Sequence, residues 1–421
     1  MLRMIFKMLG ARKRRYGWLL TELVLVTMIV WVLLDPLVVL LSIESMPNGF
    51  DERNLYRVVL ADYNSHSSRF RSEEMNPVKA RENRWSQLRR IRAYPGVESA
   101  TFFGNTGPFW QSSYSLRFQK DTLVTDAWVM EVVPGSDYFQ TLRFTEVGGQ
   151  TNEQLDRLLQ GEPYEQPDRV VLSDAAFPGQ SARGLNDTVN QHLVVGTTAL
   201  VRMRVGGVQM PVTSRLTYPS GQSILFRVRD GVDEDKFLPA FTEWARNNLQ
   251  VGNSYVRSVQ SFRDFMHEDG DEVRQNFRVR TILAGFFLFF LFMGVTGTFW
   301  MQTRSRREEI GILKSFGATR GTIVRSLLAE GVILATLAVI IGCLLYLQYA
   351  MKEGLYNPLG NNGNNIYTLY SGRFWFEYFK THFSVISLIT WVLLQLVVCL
   401  GIWIPARNLS RIPPTEALHE D

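Results

Sequence analysis

Three carboxylates, Glu22, Asp35 and Glu330, stand inside long apolar runs, where a charge is costly unless it is paired or put to use. They are the strongest candidates for intramembrane polar chemistry. Glu22 follows closely on Arg15, and Asp35 lies toward the far end of its run, so each can reach an interface; Glu330 is expected at the opposite face of the membrane, within reach of Arg325. At different heights and unpaired, they make a weak intramembrane enzyme. The remaining reactive residues are dispersed. His66, His192, His267, His382 and His419 show no H-E-x-x-H spacing, and Cys343 and Cys399 are not paired, so no metal site is expected. A G-x-x-x-x-G-K-[ST] phosphate cradle and a G-x-S-x-G nucleophile turn are both missing from this sequence, and catalysis by these residues has little support.

The elements that would position these carboxylates are four apolar runs of about 20 residues or more, enough to cross a hydrocarbon core of about 30 Å. The expected organisation is a basic tail (residues 1–17), a first span (18–41), a large insert (42–280), a second span (281–300), a charged loop (301–321), a third span (322–349), a shorter loop (350–382), a fourth span (383–404) and a tail (405–421). Pro36 is expected to bend or end the first span. Lys and Arg concentrate in the tail holding Arg3, Lys7, Arg12, Lys13, Arg14 and Arg15, in the 301–321 loop, and at Arg407 and Arg411. The positive-inside rule puts these segments and both termini in the cytosol, with the insert outside. The first run is too long for a signal-peptide core and lacks an A-x-A-like exit, so a retained anchor is expected. A net charge of +5 fits this topology better than nucleic-acid binding.

Within the insert, LYRVVL at Leu55, a helix with Trp85, Leu88 and Ile91 on one face, and VESATFF at Val97 form one β-α-β unit. SILFRV at Ser223, a helix bearing Phe237, Phe241 and Trp244, and SYVRSV at Ser254 form a second. The middle, about residues 116–210, reads as mostly β. The fold class expected is therefore an α+β membrane protein with four transmembrane helices and a large extracytoplasmic domain, two β-α-β units plus a β-rich subdomain, between helices 1 and 2. Residues 261–280, with Phe262, Phe265, Val273 and Phe277 at helical spacing, extend the second span as a stalk. Gly294 with Thr298, Gly331 with Ala335, and Ala338 with Gly342 have the small-xxx-small spacing that lets helices approach closely.

The charged loop reads MQTRSRREEIGILKSFGATRG. Ile310, Leu313 and Phe316 recur on one helical face; Glu308 and Glu309 stand near the start, Lys314 near the end, and Gly317 is a natural stop. A tether has no need of an apolar strip on a charged helix in water, which argues against the alternative of a membrane-anchored sensory or structural protein.

The segment RREEIGILKSFGATRGTIVRSLLAEGVIL, Arg306 to Leu334, resembles the FtsX/MacB permease superfamily, the type VII ABC transporters, which read R-x-x-E-I-G-I-L-[RK]-x-[LF]-G-A-[ST]. IPARNLSRIPPTEAL, Ile404 to Leu418, resembles the family's ending. VPGSDYFQTL at Val133 and RVVLSDAAF at Arg169 resemble the MacB-type periplasmic core more loosely. The resemblance implies a dimeric, non-catalytic permease of the bacterial inner membrane with a cytosolic ABC ATPase subunit docked below it. It also implies that ATP is bound by that partner, that this chain has no cofactor of its own, and that a periplasmic adaptor and membrane lipid are candidate partners. Carried over by position, Arg307, Glu308, Glu309, Ile310, Gly311, Ile312, Leu313, Lys314, Phe316 and Gly317 would form the coupling helix that meets the ATPase. Motion would pass through the stalk to the insert, a mechanotransmission that drives efflux or extraction.

Overall fold

The computed structural model of the protein describes residues 13–104, 106–110, 112–219, 223–304, 307–358 and 374–411. The first twelve residues and the last ten, which hold the latter half of the closing motif, lie outside the described residues. The chain divides into two compact units. One is built from residues up to Leu41 and, for the most part, from Gln275 onward; the other is centred on Ser42–Arg274.

The first unit consists of long helices. Four are long and apolar enough to cross a membrane: α1 (Lys13–Glu44), α7 (Asp271–Arg304), α9 (Arg320–Glu353) and α10 (Phe379–Leu409), with the short α8 (Arg307–Ser315) between α7 and α9. Each long helix overruns its apolar run, because the polar residues at its ends continue the helix beyond the hydrocarbon requirement. Pro36 neither ends nor interrupts α1, which runs on to Glu44.

Small residues set the approach of these helices. A side chain at Gly342 of α9 would meet Thr27 and the Val24 carbonyl of α1, and one at Gly401 of α10 would meet Val295, Thr296 and the Phe292 carbonyl of α7. Gly331 of α9 lies under Ile402 and Val398 of α10. Sequence spacing singled out Gly331 and Gly342 but not Gly401. Leu19, Leu23, Leu291, Val295, Leu327, Leu334, Ala338, Val398 and Ile402 fill the space between the helices.

The second unit begins with β1 (Leu55–Asp62), α2 (Pro77–Arg92) and β2 (Val97–Phe103). Its middle contains β3 (Ser115–Lys120), β4 (Leu123–Val132), the short helices α3 (Tyr138–Leu142) and α4 (Asn152–Leu158), and β5 (Asp168–Ser173). After these come β6 (Asn186–Asp187), β7 (His192–Thr198), β8 (Val201–Arg202), β9 (Gln209–Met210) and β10 (Val212–Leu216). It closes with β11 (Ser223–Val228), α5 (Glu234–Asn248), β12 (Ser254–Ser261) and α6 (Phe262–Asp269).

The two β-α-β units merge into one antiparallel sheet, ordered β12-β1-β11-β2. Period-2 alternation sends Tyr56, Val58 and Leu60 to the face that α2 and α5 cover with Leu88, Ile91, Phe237 and Phe241. Arg57 points the other way, its guanidinium held between Trp110 at 4.6 Å and Phe265 at 4.2 Å, with Nε donating to Ser223. The intervening β structure is a mixed sheet, β3-β4-β10-β5-β7-β6, in which β4–β10 and β5–β7 run parallel. Phe118, Val170, Leu172, Phe177 and Val194 form its core.

The expected single stalk from residue 261 is interrupted. Ser261 caps α6, which stops at Gly270 before α7 begins, and Phe262 and Phe265 are buried among the aromatic residues of the second unit.

Candidate functional site

The charged loop is helical over Arg307–Ser315, and its two faces have different environments. Ile310 is 6% exposed within the cluster shared by Leu19, Leu23, Leu291, Ile323, Ala406 and Leu409. Gly311 is buried beside it. Ile312 and Leu313 are half exposed, and Phe316 is 87% exposed. The apolar strip expected from spacing, Ile310 with Leu313 and Phe316, is therefore divided. Ile310 anchors the helix by joining the apolar core of the bundle, and Ile312 takes its place in the exposed group. Lys314 faces the bundle as well: Nζ donates to the Ser410 carbonyl at the end of α10, 2.9 Å away, supplying a cation to a helix C-terminus. Partial burial, with Arg320 nearby, holds its pKa below the ordinary lysine value. The side chains of Arg307, Glu308 and Glu309 lie outside the described residues.

Three residues make the corner that follows. Gly317 sits at φ +87° and donates to the Lys314 carbonyl, while Ala318 donates to Leu313, the two-bond pattern that closes a helix C-terminus with a left-handed residue. Ala318 packs against the bundle core. Thr319 then caps α9, its hydroxyl accepting from the Thr322 amide. The sequence G-A-T thus reads as stop, anchor and start, and it leaves no slack between α8 and α9.

The three carboxylates expected within the spans are more enclosed by the chain than their positions in the sequence imply. Asp35 is 4% exposed and paired: Oδ1 is 2.6 Å from Nε2 of His382, which is fully buried, and Oδ2 accepts from the Tyr356 amide at 3.0 Å. Asp35 lies beside the end of α9 and the first turn of α10, the helix-end position expected of it, but it is buried there and paired by a residue that sequence spacing could not bring to it. Nearby, Trp31 packs against Tyr346, the ring centroids 4.2 Å apart and the planes tilted by 34°, and donates to Ser387. Glu330 is 3% exposed within the bundle rather than at a surface. Glu22 is half-buried against Gly294 of α7, where the missing side chain makes room for its carboxylate. Among the described residues, no cluster of three His, Cys, Asp or Glu could hold a metal ion.

The second unit has a cleft of about 370 Å³ lined by Glu52, Arg53, Tyr56, Arg143, Asp230 and Arg263. Two of its arginines are engaged in ion pairs, Arg53 with Asp51 and Arg143 with Glu98 and Asp230.

The α8–α9 corner and the spans flanking it lie within residues 281–414, which match the FtsX-like permease C-terminal family. The chain thus carries an FtsX-like permease C-terminal domain. Beyond that match, it is 24% identical over 370 residues to the macrolide export ATP-binding/permease protein MacB of Salmonella typhi, covering 82% of this chain and 50% of that protein. It thus spans about half the length of this curated relative. Among solved structures, the periplasmic region of MacB from Actinobacillus actinomycetemcomitans aligns over 55% of this chain and 98% of its own, at 14% identity and a TM-score of 0.29. The extracellular domain of the noncanonic ABC-type transporter YknZ from Gram-positive bacteria aligns over 48% and 100%, at 12% identity and the same TM-score. Four of its helices are long and apolar enough to cross a membrane, and a large β-rich domain lies between the first two of them.

Proposed function

We propose that this chain is the transmembrane subunit of an ABC transporter of the MacB/FtsX type, with α8 as the coupling helix that receives motion from a cytosolic ATPase. The observation that carries this reading is the two-sided environment of α8. Ile310 and Lys314 fix one side to the bundle while Ile312, Leu313 and Phe316 leave an apolar patch open on a helix flanked by charge. Together with the tight corner into α9, this is what a mechanical input requires: a grip for the partner and a stiff joint to the spans. The chain itself is non-catalytic and takes no cofactor, ATP being bound by the partner. Both termini and α8 face the cytosol of a bacterial inner membrane, and the insert faces the periplasm, where an adaptor could join. Two copies form the working permease, and its mechanotransmission serves efflux or extraction of periplasmic or membrane cargo.

The test is co-purification with ATPases encoded nearby. Docking would bury much of Leu313 and Phe316, about 2 kcal/mol each, so Leu313→Asp or Phe316→Asp should weaken the complex by roughly 30-fold and abolish stimulated ATP hydrolysis, with insertion unchanged. A complex of unaltered affinity in both variants would overturn the assignment.

A further inference from the structure

Between β1, the start of α2 and the turn before β12, the second unit has another cleft, of about 300 Å³, lined by Tyr63, Phe70, Met75, Asn83, Arg84 and Val251. Its walls are fixed. Beside Phe70, the Arg71 backbone is held at both ends by the Asn253 side chain, Nδ2 donating to its carbonyl and Oδ1 accepting from its amide, each at 2.8 Å. Gly252, at φ +57°, lets the turn lie against Glu74 and Asn83, where a side chain would collide with both. At the polar end stands Arg84, its side chain 12% exposed. Nη1 donates to the Ser254 hydroxyl at 2.6 Å, and Nη2 meets both oxygens of Asp62 at 3.3 Å. Charge-assisted bonds of this kind settle at about 2.7–2.9 Å, and the Asp62 side chain is 53% exposed. A desolvated guanidinium, its pKa lowered by burial, thus has a loose partner already bathed in water.

Glu74, the other carboxylate here, is taken by Lys79 at 2.7 Å and by Asn83 Nδ2 at 2.8 Å. Among the described residues nothing donates to Asn83 Oδ1. At the apolar end, Phe70 and Val251 are half-buried and Met75 is exposed. Three needs therefore converge: a better-placed anion for Arg84, an N–H for Asn83, and apolar cover for Phe70, Met75 and Val251. The last residue of a peptide carries all three, carboxylate, amide N–H and side chain, on one carbon. A fatty acid lacks the N–H, and an internal Asp or Glu lacks the apolar side chain. We propose that this cleft binds the C-terminal residue of a peptide, one ending in an apolar side chain, whose carboxylate displaces Asp62 from Arg84. The cleft is at the small end of ligand sites, which suits a chain end rather than a long segment.

Binding is measured by ligand-observed NMR titration of the full chain in lipid nanodiscs, with empty nanodiscs as the blank. The probes are acetyl-Gly-Leu with a free carboxylate, its C-terminal amide, and octanoate. The free acid should bind at least about tenfold more tightly than the amide, and Arg84→Gln should lose that advantage. Asp62→Asn removes the competing charge from an exposed side chain. It should tighten binding of the free acid by about fivefold and leave the amide unchanged, a gain that impaired folding does not produce. Should Arg84→Gln fail to fold, the comparison of acid with amide and the Asp62→Asn gain decide the matter. Equal affinity for acid and amide, or Asp62→Asn binding the acid no more tightly than wild type, overturns the proposal. Octanoate binding as tightly as the peptide would assign the cleft to a lipid and overturn it as well.

Discussion

Asp156 is an 8% exposed carboxyl that accepts from the Phe139 and Gln140 amides and so holds the first turn of α3. Burial pushes it up to about 7, against the pull of those donors. Its folded-state value is raised, so its contribution to stability is complete below the ordinary carboxyl range and is lost as pH rises through about 7. The melting temperature of wild type minus that of Asp156→Asn, which cannot ionise, should therefore fall between pH of about 5 and about 8; a flat difference would contradict the assignment. Asp156→Ala leaves two amides without an acceptor and should cost about 1–3 kcal/mol. At Arg57, the two flanking rings and Ser223 compensate a buried guanidinium whose pKa burial lowers to about 10. Arg57→Ala should destabilise the second unit by about 2–4 kcal/mol, seen as a lowered melting temperature with membrane insertion intact. Neither arrangement could be read from sequence. Asp156 is one carboxylate among 40 acidic residues, and its partners lie 16 and 17 positions away. Asp35 and His382 are separated by 347, so the charge was visible as an anomaly and its partner was not.

Elements were more legible, because their signals are local. The faces Leu88–Ile91 and Phe237–Phe241 mark α2 and α5 by periodicity alone, and both pack where that periodicity requires. Helix α8 shows where periodicity stops being informative. It places Ile310, Leu313 and Phe316 on one side, but which residue is covered depends on the packing of the rest of the bundle. Gly317 was identifiable as a stop, and its φ of +87° gives the reason. A side chain there would meet no atom within 4 Å, so the penalty is conformational only. Gly317→Val should thus cost about 1–2 kcal/mol and Thr319→Ala about 1 kcal/mol. If the corner transmits force, both should reduce ATPase stimulation while co-purification is retained. Loss of co-purification would place the defect in docking instead.

At the scale of the whole molecule, the four spans are unequally covered. Only 17% of the apolar window of α7 is buried by the chain itself, against 50% for α1 and α9. Ile282, Phe286, Phe289, Phe290 and Met293 are exposed along it. The proposed dimer would place its second copy against this aromatic face. Phe289→Cys in a background lacking Cys343 and Cys399 should therefore cross-link copy to copy under mild oxidation, whereas Leu388→Cys on α10 should not. Equal cross-linking at both positions would leave α7 as a lipid-facing helix.

The pairing of β1 has a consequence in time. Its neighbours in the sheet are β11 and β12, and Arg57 bonds Ser223 across 166 positions. At about 5–20 residues per second of synthesis, β1 emerges roughly 10–30 s before either neighbour exists. Throughout that interval an apolar strand with both edges open is attached to a membrane anchor that has already been made. The newborn chain thus depends on whatever shields it between the ribosome and the closing of the sheet, and damage to that protection should appear as lost protein before it appears as lost transport.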